Sequence, residues 1–401
     1  MRERGQIFMK PRVLYRGIAF GLLAGLTFFA SAVTARDITP SVLTAGVSLP
    51  GSQQWTMRAS GSGREYAIFV AVPDGPPPVG GYASIYVLDG NTMFFTAAEA
   101  VRAYARRRDA ERETRALVIG IGYPDGTDVA SARGFDFTPD LRDPRLKGPS
   151  GGAASFLDFI QNDLKPEIAR RFPVDAKQQA LMGHSYGGLF TLGVLLRDPD
   201  AFQSYVGMSS SFWFGNHDLS RKVSEFVSER AQTPTPRRVM LTVGEFEQRP
   251  APKEWAQDPE RASKMAQSLA ERGQVVQAQE AAKQLAKVPG LLVDYREILN
   301  EDHGTVIPAA IGRGIDFILM GPRSIPPVPT AQEYARLDAA GRYRLRLEVR
   351  ALPDAVRIPW LNKLKSTLGN GLDKETLAKL HDERQEMDRR YGTVPHAVNA
   401  D

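Results

Sequence analysis

The chain has 401 residues, 42% of them hydrophobic and 24% charged, with a formal net charge of +5 and no cysteine. This suits a globular protein with one large core, and it excludes disulfides, a thiol nucleophile and cysteine-linked lipidation. The positive balance does not point to nucleic acid or an anionic membrane. Residues 1–35 carry five basic side chains and one acidic one, a net of +4, which leaves the remainder near +1.

Those first 35 residues have the layout of a signal peptide. Arg2, Arg4, Lys10, Arg12 and Arg16 form a basic start, Ile18 to Ala30 is apolar, and Ala30-Ser31-Ala32 or Val33-Thr34-Ala35 supplies small residues for cleavage. The apolar run is shorter than the ~20 residues a membrane-spanning helix needs. The expectation is therefore an exported protein, periplasmic or secreted, with no stable membrane anchor after cleavage.

Downstream, Arg64 to Val72 predicts an early strand and Asp74 to Gly81 a Pro/Gly-rich loop. Ser84 to Leu88 predicts a short buried strand ending at Asp89-Gly90-Asn91, and Thr92 to Arg108 a helix. Ala116 to Ile121 is a further buried strand. Phe156 to Phe172 has helical periodicity, with apolar residues at 156, 157, 160, 164 and 168. An apolar run leads into Gly183-His184-Ser185-Tyr186-Gly187 and a helix over Leu189 to Leu196. Arg238 to Val243 and Leu291 to Tyr295 complete the strands. Short apolar strands alternating with helices predict an α/β fold, a mostly parallel central sheet flanked by helices. Residues 36–322 form this domain. Four prolines between Pro322 and Pro329 mark a linker, and 323–401 read as a helical C-terminal extension, charged and without a buried-strand signal.

The chemistry-bearing clusters all follow strands: Asp89 to Asn91, Ser185, Gly244 to Glu247, and Asp302-His303. In parallel sheets, functional groups gather at the strand C-terminal ends. Gly183-x-Ser185-x-Gly187 between strand and helix predicts a nucleophile elbow, with both glycines small so that strand and helix can approach closely. A serine hydroxyl needs a base to remove its proton and a third group to hold that base. Of the five histidines, His303 lies in the last loop of the core, where hydrolase order places the base. His184 reads as structural, His217 as a weaker candidate, and His381 and His396 as solvated tail residues. The acid should follow the strand ending at Val243. Glu247 fits by spacing, Glu245 is the alternative, and Asp302 is a less favoured orienting group. The oxyanion donors should be the backbone N–H groups of Tyr186 and Asn91. Arg133 stands where a guanidinium could clamp an anionic substrate group, with an Arg133–Asp136 turn as the competing reading. Trp213 and Phe212 are candidates for an aromatic pocket wall or for packing at the sheet edge. No metal-ligand cluster is evident.

With these residues in view, the chain resembles the esterase branch of the α/β-hydrolases. That branch includes enterochelin (ferri-siderophore) esterases, esterase D and feruloyl esterases, and the chain is most similar to the siderophore-esterase-like members. The markers run from about Val42 to Pro322: Tyr86 to Asn91, Ile119 to Tyr123, Arg133 to Pro139, Gly183 to Leu189, Ser209 to Trp213, Gly244 to Glu247, and Glu301 to Gly304. The resemblance implies Ser185 as nucleophile, His303 as base and a backbone oxyanion hole at Asn91 and Tyr186. It implies no cofactor; iron would enter only with the substrate. The expected partner is a small-molecule ester and not nucleic acid. Related mycolyltransferases share the Asp-Gly-x loop, so acyl transfer to a non-water acceptor stays open, as does a non-catalytic periplasmic binding protein on the same fold. The tail after residue 322 lies outside the resemblance.

Overall fold

Interior strands of a parallel sheet are covered on both faces, so they read as continuous apolar runs, whereas edge strands need not. The computed structural model describes residues 48–106, 115–321, 326–350 and 354–391. The segment 1–35 read as a signal peptide lies outside the described residues. Eight strands form one sheet: β1 (Ser52–Arg58), β2 (Glu65–Ala71), β3 (Tyr82–Leu88), β4 (Ala116–Gly122), β5 (Val174–His184), β6 (Ser204–Met208), β7 (Arg238–Gly244) and β8 (Leu292–Ile298). Their order is β1-β2-β4-β3-β5-β6-β7-β8. β1 pairs antiparallel with β2 and β2 antiparallel with β4, while every later pairing is parallel. This is the α/β-hydrolase arrangement, as the strand reading predicted.

The helices follow in chain order. α1 (Gly90–Ala105) leaves β3 and α2 (Val129–Phe137) follows β4. α3 (Ala153–Asp158), a π-helical turn (Phe159–Leu164) and α4 (Lys165–Arg171) lead to β5. α5 (Tyr186–Arg197) follows β5 and α6 (Phe214–Glu229) follows β6. Between β7 and β8 come α7 (Pro252–Gln257), α8 (Pro259–Arg272) and α9 (Gln274–Leu285), and α10 (Val306–Met320) follows β8. Among the described residues, no helix is long and apolar enough to cross a membrane.

Alternation along the strands divides the core in two. Ile85, Val87, Val118, Met182 and Val206 pack with α1 and α10 through Phe94, Ala97, Val101, Ile311 and Ile315. Tyr86, Leu88, Ile119, Leu181 and Tyr205 belong to the second cluster, with Phe156, Ile160, Phe190, Leu195 and Phe226. The π turn has a reason in the spacing. Phe156, Ile160, Leu164 and Ile168 are all buried and recur every fourth residue. A straight helix of about 3.6 residues per turn would rotate them off one face, and a wider π turn takes up the surplus.

β1 and β6 were not among the strands predicted from the pattern. β1 is an edge strand with polar Ser52, Gln53 and Gln54, and β6 is only five residues long with a glycine inside. The expected helix over Thr92 to Arg108 starts earlier, at Gly90.

Beyond Gly321, α11 (Ala331–Arg336), α12 (Ala339–Arg350), α13 (Asp354–Gly371) and α14 (Lys374–Tyr391) match the helical extension. α11 opens on a capping box: Glu333 N–H donates to Thr330 Oγ1 at 3.2 Å, and Thr330 N–H donates to Glu333 Oε2 at 2.8 Å. These helices bury a cluster of their own, Tyr334, Trp360, Leu361, Leu364, Leu368 and Leu380, separate from the two sheet-face clusters.

Phe156 touches four aromatic rings, those of Tyr66, Phe137, Phe159 and Phe190, at 5.1 to 6.3 Å between centroids. Truncation there leaves a cavity bounded by rigid rings that cannot collapse into it. Phe156→Ala should therefore lower unfolding free energy by about 3–5 kcal/mol, measured as a shift of the urea midpoint at unchanged slope.

Candidate active site

The connection from β5 to α5 is made by a residue in a conformation that L side chains rarely adopt. Ser185 has φ 60° and ψ −116°, a strained state persisting only where its surroundings fix it. Three hydrogen bonds do so: Ser185 N–H donates to Met208 O at 2.9 Å, and Ser185 O accepts from Leu189 N–H at 2.9 Å and Ser211 N–H at 3.1 Å. The turn is close-packed. A Cβ on Gly183 would lie 2.5 Å from the backbone of Gly187, and one on Gly188 would lie 2.6 Å from Ser210 Oγ. Gly187 itself, expected to be tight, would meet nothing closer than 3.5 Å. The second close approach thus belongs to Gly188.

Around the elbow the structure brings together the three side chains singled out from the sequence. His303 Nε2 is 3.0 Å from Ser185 Oγ, and His303 Nδ1 is 2.6 Å from Glu247 Oε2. Glu247 lies in a 3₁₀ turn directly after β7 and is buried. Its Oε1 accepts from Ser209 Oγ at 2.6 Å and from Gly244 N–H at 2.7 Å. Both oxygens are thereby satisfied, as a carboxylate out of water requires.

The other acids are engaged elsewhere. Glu245 pairs with Arg249 and accepts from Asn300 N–H at 2.9 Å. Asp302 accepts from the N–H groups of Thr305 and Gly304 at 2.9 Å each, and these bonds hold its carboxyl below the usual range. His217 bonds Gln277, and His381 bonds Gln385 in α14; His396 lies outside the described residues.

His184 is buried and packs against His303 with ring centroids 4.6 Å apart. Burial, then the neighbouring imidazole, pushes its pKa down to about 3. It stays neutral and supports the exposed ring from behind. Ser209 and Ser211 carried no assigned role in the sequence. Ser209 holds Glu247, and Ser211 Oγ lies 3.3 Å from Ser185 Oγ. The signal was present as the serine run between β6 and Phe212, but serine runs are common in loops.

Tyr186 and Asn91 are in the first turns of α5 and α1, whose N–H groups have no intrahelical acceptors. The Asn91 side chain clamps the end of β4, its Oδ1 accepting from Tyr123 N–H at 2.7 Å and its Nδ2 donating to Tyr123 O at 2.9 Å. Of the two readings of Arg133, the turn with Asp136 is corrected. It donates through Nε and Nη2 to the Asp89 carboxylate at 2.8 and 3.0 Å, fixing the β3–α1 turn to α2. Two of its three guanidinium nitrogens are thus engaged by one carboxylate. Asp136 pairs instead with Arg64 at 3.1 Å and accepts from Tyr123 Oη at 3.2 Å, so no Arg133–Asp136 turn forms.

A cleft of about 920 Å³ adjoins His303 and Glu247, lined also by Trp213, Phe246, Met265, Leu269 and Arg272. The Trp213 ring is 5.7 Å from that of Tyr186 and lies under the guanidinium carbons of Arg145 at 4.5 Å and Arg272 at 5.7 Å. Phe212, its sequence neighbour, is buried in the core. Among the described residues, no cluster of three or more His, Cys, Asp or Glu side chains is placed to hold a metal ion.

A hydroxyl bonded to an imidazole that is bonded in turn to a buried carboxylate is a constellation that can transfer an acyl group. Known proteins share the surrounding chain. Residues 59–284 match the family model for esterases, described as "Putative esterase". The ferri-bacillibactin esterase BesA of Bacillus subtilis is 36% identical over 280 residues, covering 68% of this chain and 91% of that protein. A siderophore enterobactin esterase of Emericella nidulans is 34% identical over 252 residues, covering 59% and 81%. Among solved structures, the siderophore hydrolase EstB from Aspergillus nidulans superposes with a TM-score of 0.61 at 31% identity, covering 69% of this chain and 97% of its own.

Two sets of variants test this geometry. Gly183→Ala and Gly188→Ala should each destabilise the protein by about 1–3 kcal/mol, while Gly187→Ala and Gly193→Ala, inside α5 with ordinary or no contacts, should be neutral or stabilise by up to about 1 kcal/mol in urea titrations. The second set concerns pH. The folded His184 has its pKa below the ordinary 6.5, so between those values the unfolded chain binds more protons and stability falls as pH falls. His184→Asn should make the loss of stability between pH 6.5 and pH 4 shallower than in wild type, read from urea midpoints across that range.

Proposed function

This chain belongs to the esterase family of the α/β-hydrolases and is a carboxylic ester hydrolase, and from that premise we propose that it hydrolyses ester linkages of siderophores through a Ser185–His303–Glu247 relay. The observation carrying the proposal is the continuous hydrogen-bond path from Ser185 Oγ through both ring nitrogens of His303 to Glu247.

In this mechanism His303 Nε2 takes the Ser185 proton as Oγ attacks the ester carbonyl. Glu247 fixes the tautomer that leaves Nε2 free to accept, and it stabilises the imidazolium that forms. The N–H groups of Tyr186 and Asn91 hold the developing oxyanion, aided by the partial positive charge at the starts of α5 and α1. The imidazolium then returns its proton to the leaving alkoxide. Water repeats the sequence on the acyl-enzyme, releasing acid and regenerating Ser185. Siderophore esters are the favoured substrates because the relatives above carry that activity in their names and match most of the hydrolase domain. We place the enzyme outside the cytoplasm on the basic, apolar and small-residue order of residues 1–35. Acyl transfer to an alcohol would use the same relay, and no observation favours it over hydrolysis.

Ser185→Ala should lower kcat for p-nitrophenyl esters by about 10⁶-fold, and Glu247→Gln by about 10⁴-fold. Equal rates for wild type and Ser185→Ala would refute the relay.

A further inference from the structure

The loop after β6 carries three consecutive serines, and their hydroxyls face different parts of the molecule. Ser209 Oγ donates to Glu247 Oε1 at 2.6 Å. Ser210 Oγ lies towards α5, 2.6 Å from where a Cβ on Gly188 would be. Ser211 Oγ lies 3.3 Å from Ser185 Oγ. Ser211 is wholly buried, and among the described residues its hydroxyl has that one hydrogen-bond partner. Its main chain is fixed as well: Ser211 N–H donates to Ser185 O at 3.1 Å, and Ser211 O accepts from Phe214 N–H at 3.1 Å. Backbone and side chain alike thus tie Ser211 to the strained residue it faces.

The direction of the hydrogen bond between the two hydroxyls follows from the relay. Ser185 has one hydroxyl proton, and the relay directs it to His303 Nε2, 3.0 Å away. Its oxygen is then an acceptor towards Ser211, whose buried proton needs a partner. The separation exceeds the about 2.7–2.8 Å usual between hydroxyls, as catalytic bonds commonly do before substrate binds. As charge builds on Ser185 Oγ the bond shortens and strengthens, because an ionised acceptor binds a donor roughly twice as strongly as a neutral one.

Resting on the relay proposed above, we propose that Ser211 is a further catalytic residue, a hydroxyl donor that stabilises the charge on Ser185 Oγ in both halves of ester hydrolysis. In acylation, Oγ gains negative charge as its proton passes to His303 Nε2 and its bond to the carbonyl carbon forms. In deacylation, Oγ leaves that carbon with the bonding electron pair and takes the proton back from the imidazolium. Ser211 keeps its own proton throughout. The same oxygen is charged in both transition states, so one fixed donor lowers both barriers. The Tyr186 and Asn91 amides act on a different atom, the carbonyl oxygen. Ser209 acts at the far end of the relay, on Glu247.

The test compares full-length wild type with Ser211→Ala and with Ser211→Cys, whose thiol fills the space but is a weak donor. Both variants should lower the rate of fluorophosphonate trapping at Ser185, and kcat for p-nitrophenyl esters, by about 10- to 100-fold. KM should stay unchanged, since slowing acylation and deacylation alike preserves their ratio. In a His303→Ala background, Ser211→Ala should still slow trapping, because it acts on Oγ directly. Ser209→Ala, which acts through Glu247 and His303, should slow it no further there. Ser211→Ala within about threefold of wild type, a normal rate in Ser211→Cys, a changed KM, or no effect of Ser211→Ala without His303 overturns the proposal. Failure of the wild type to be labelled at Ser185 overturns the relay itself.

Discussion

A carboxylate almost wholly removed from water is tolerable only if each oxygen has donors, and in this fold one of those donors is an imidazole. Glu247 is 3% exposed. A hydroxyl from the loop after β6, an amide at the end of β7 and the His303 ring from the β8–α10 loop converge on it. The cost of burying the charge is offset only when all three are in place. That requirement ties three separate loops together at one edge of the sheet. It also leaves the second nitrogen of His303 directed at Ser185, where the strain at the elbow presents the hydroxyl. Stability and the proposed reactivity thus depend on the same contacts, and loosening any of the three loops would unseat the proposed relay.

Around this point the molecule divides into a close-packed frame and a looser cover. The frame is the sheet with its two apolar faces, built from strands whose alternate residues sort between them. The cover is α7 and α8, which bury almost nothing between them and border the cleft. Such a division leaves α7 and α8 free of the packing that holds the buried carboxylate and the elbow. The C-terminal helices have their own apolar cluster and stand as a further packing unit after the family match ends at residue 284.

Much of this was legible in the sequence because it rests on local constraints. Apolar runs such as Ala116 to Ile121 can only be buried strands, and Ser185 between small residues at a strand end announces a tight turn. What escaped depends on tertiary partners. β1 is polar because it lies at the sheet edge, and β6 is too short to show a period. Arg133 lies three residues before Asp136, yet it pairs with Asp89, which is 44 positions away; sequence proximity was the wrong guide to that ion pair. Gly187 and Gly188 look equivalent in the chain, and the approach of Ser210 and the Met208 carbonyl distinguishes them.

The measurement that bears most directly on the relay is covalent trapping by a fluorophosphonate, with the modified peptide located by mass spectrometry. The account predicts one adduct, on Ser185, forming at least about 10³-fold more slowly in His303→Ala. An adduct on another residue, or labelling of Ser185 at the same rate without His303, would contradict it.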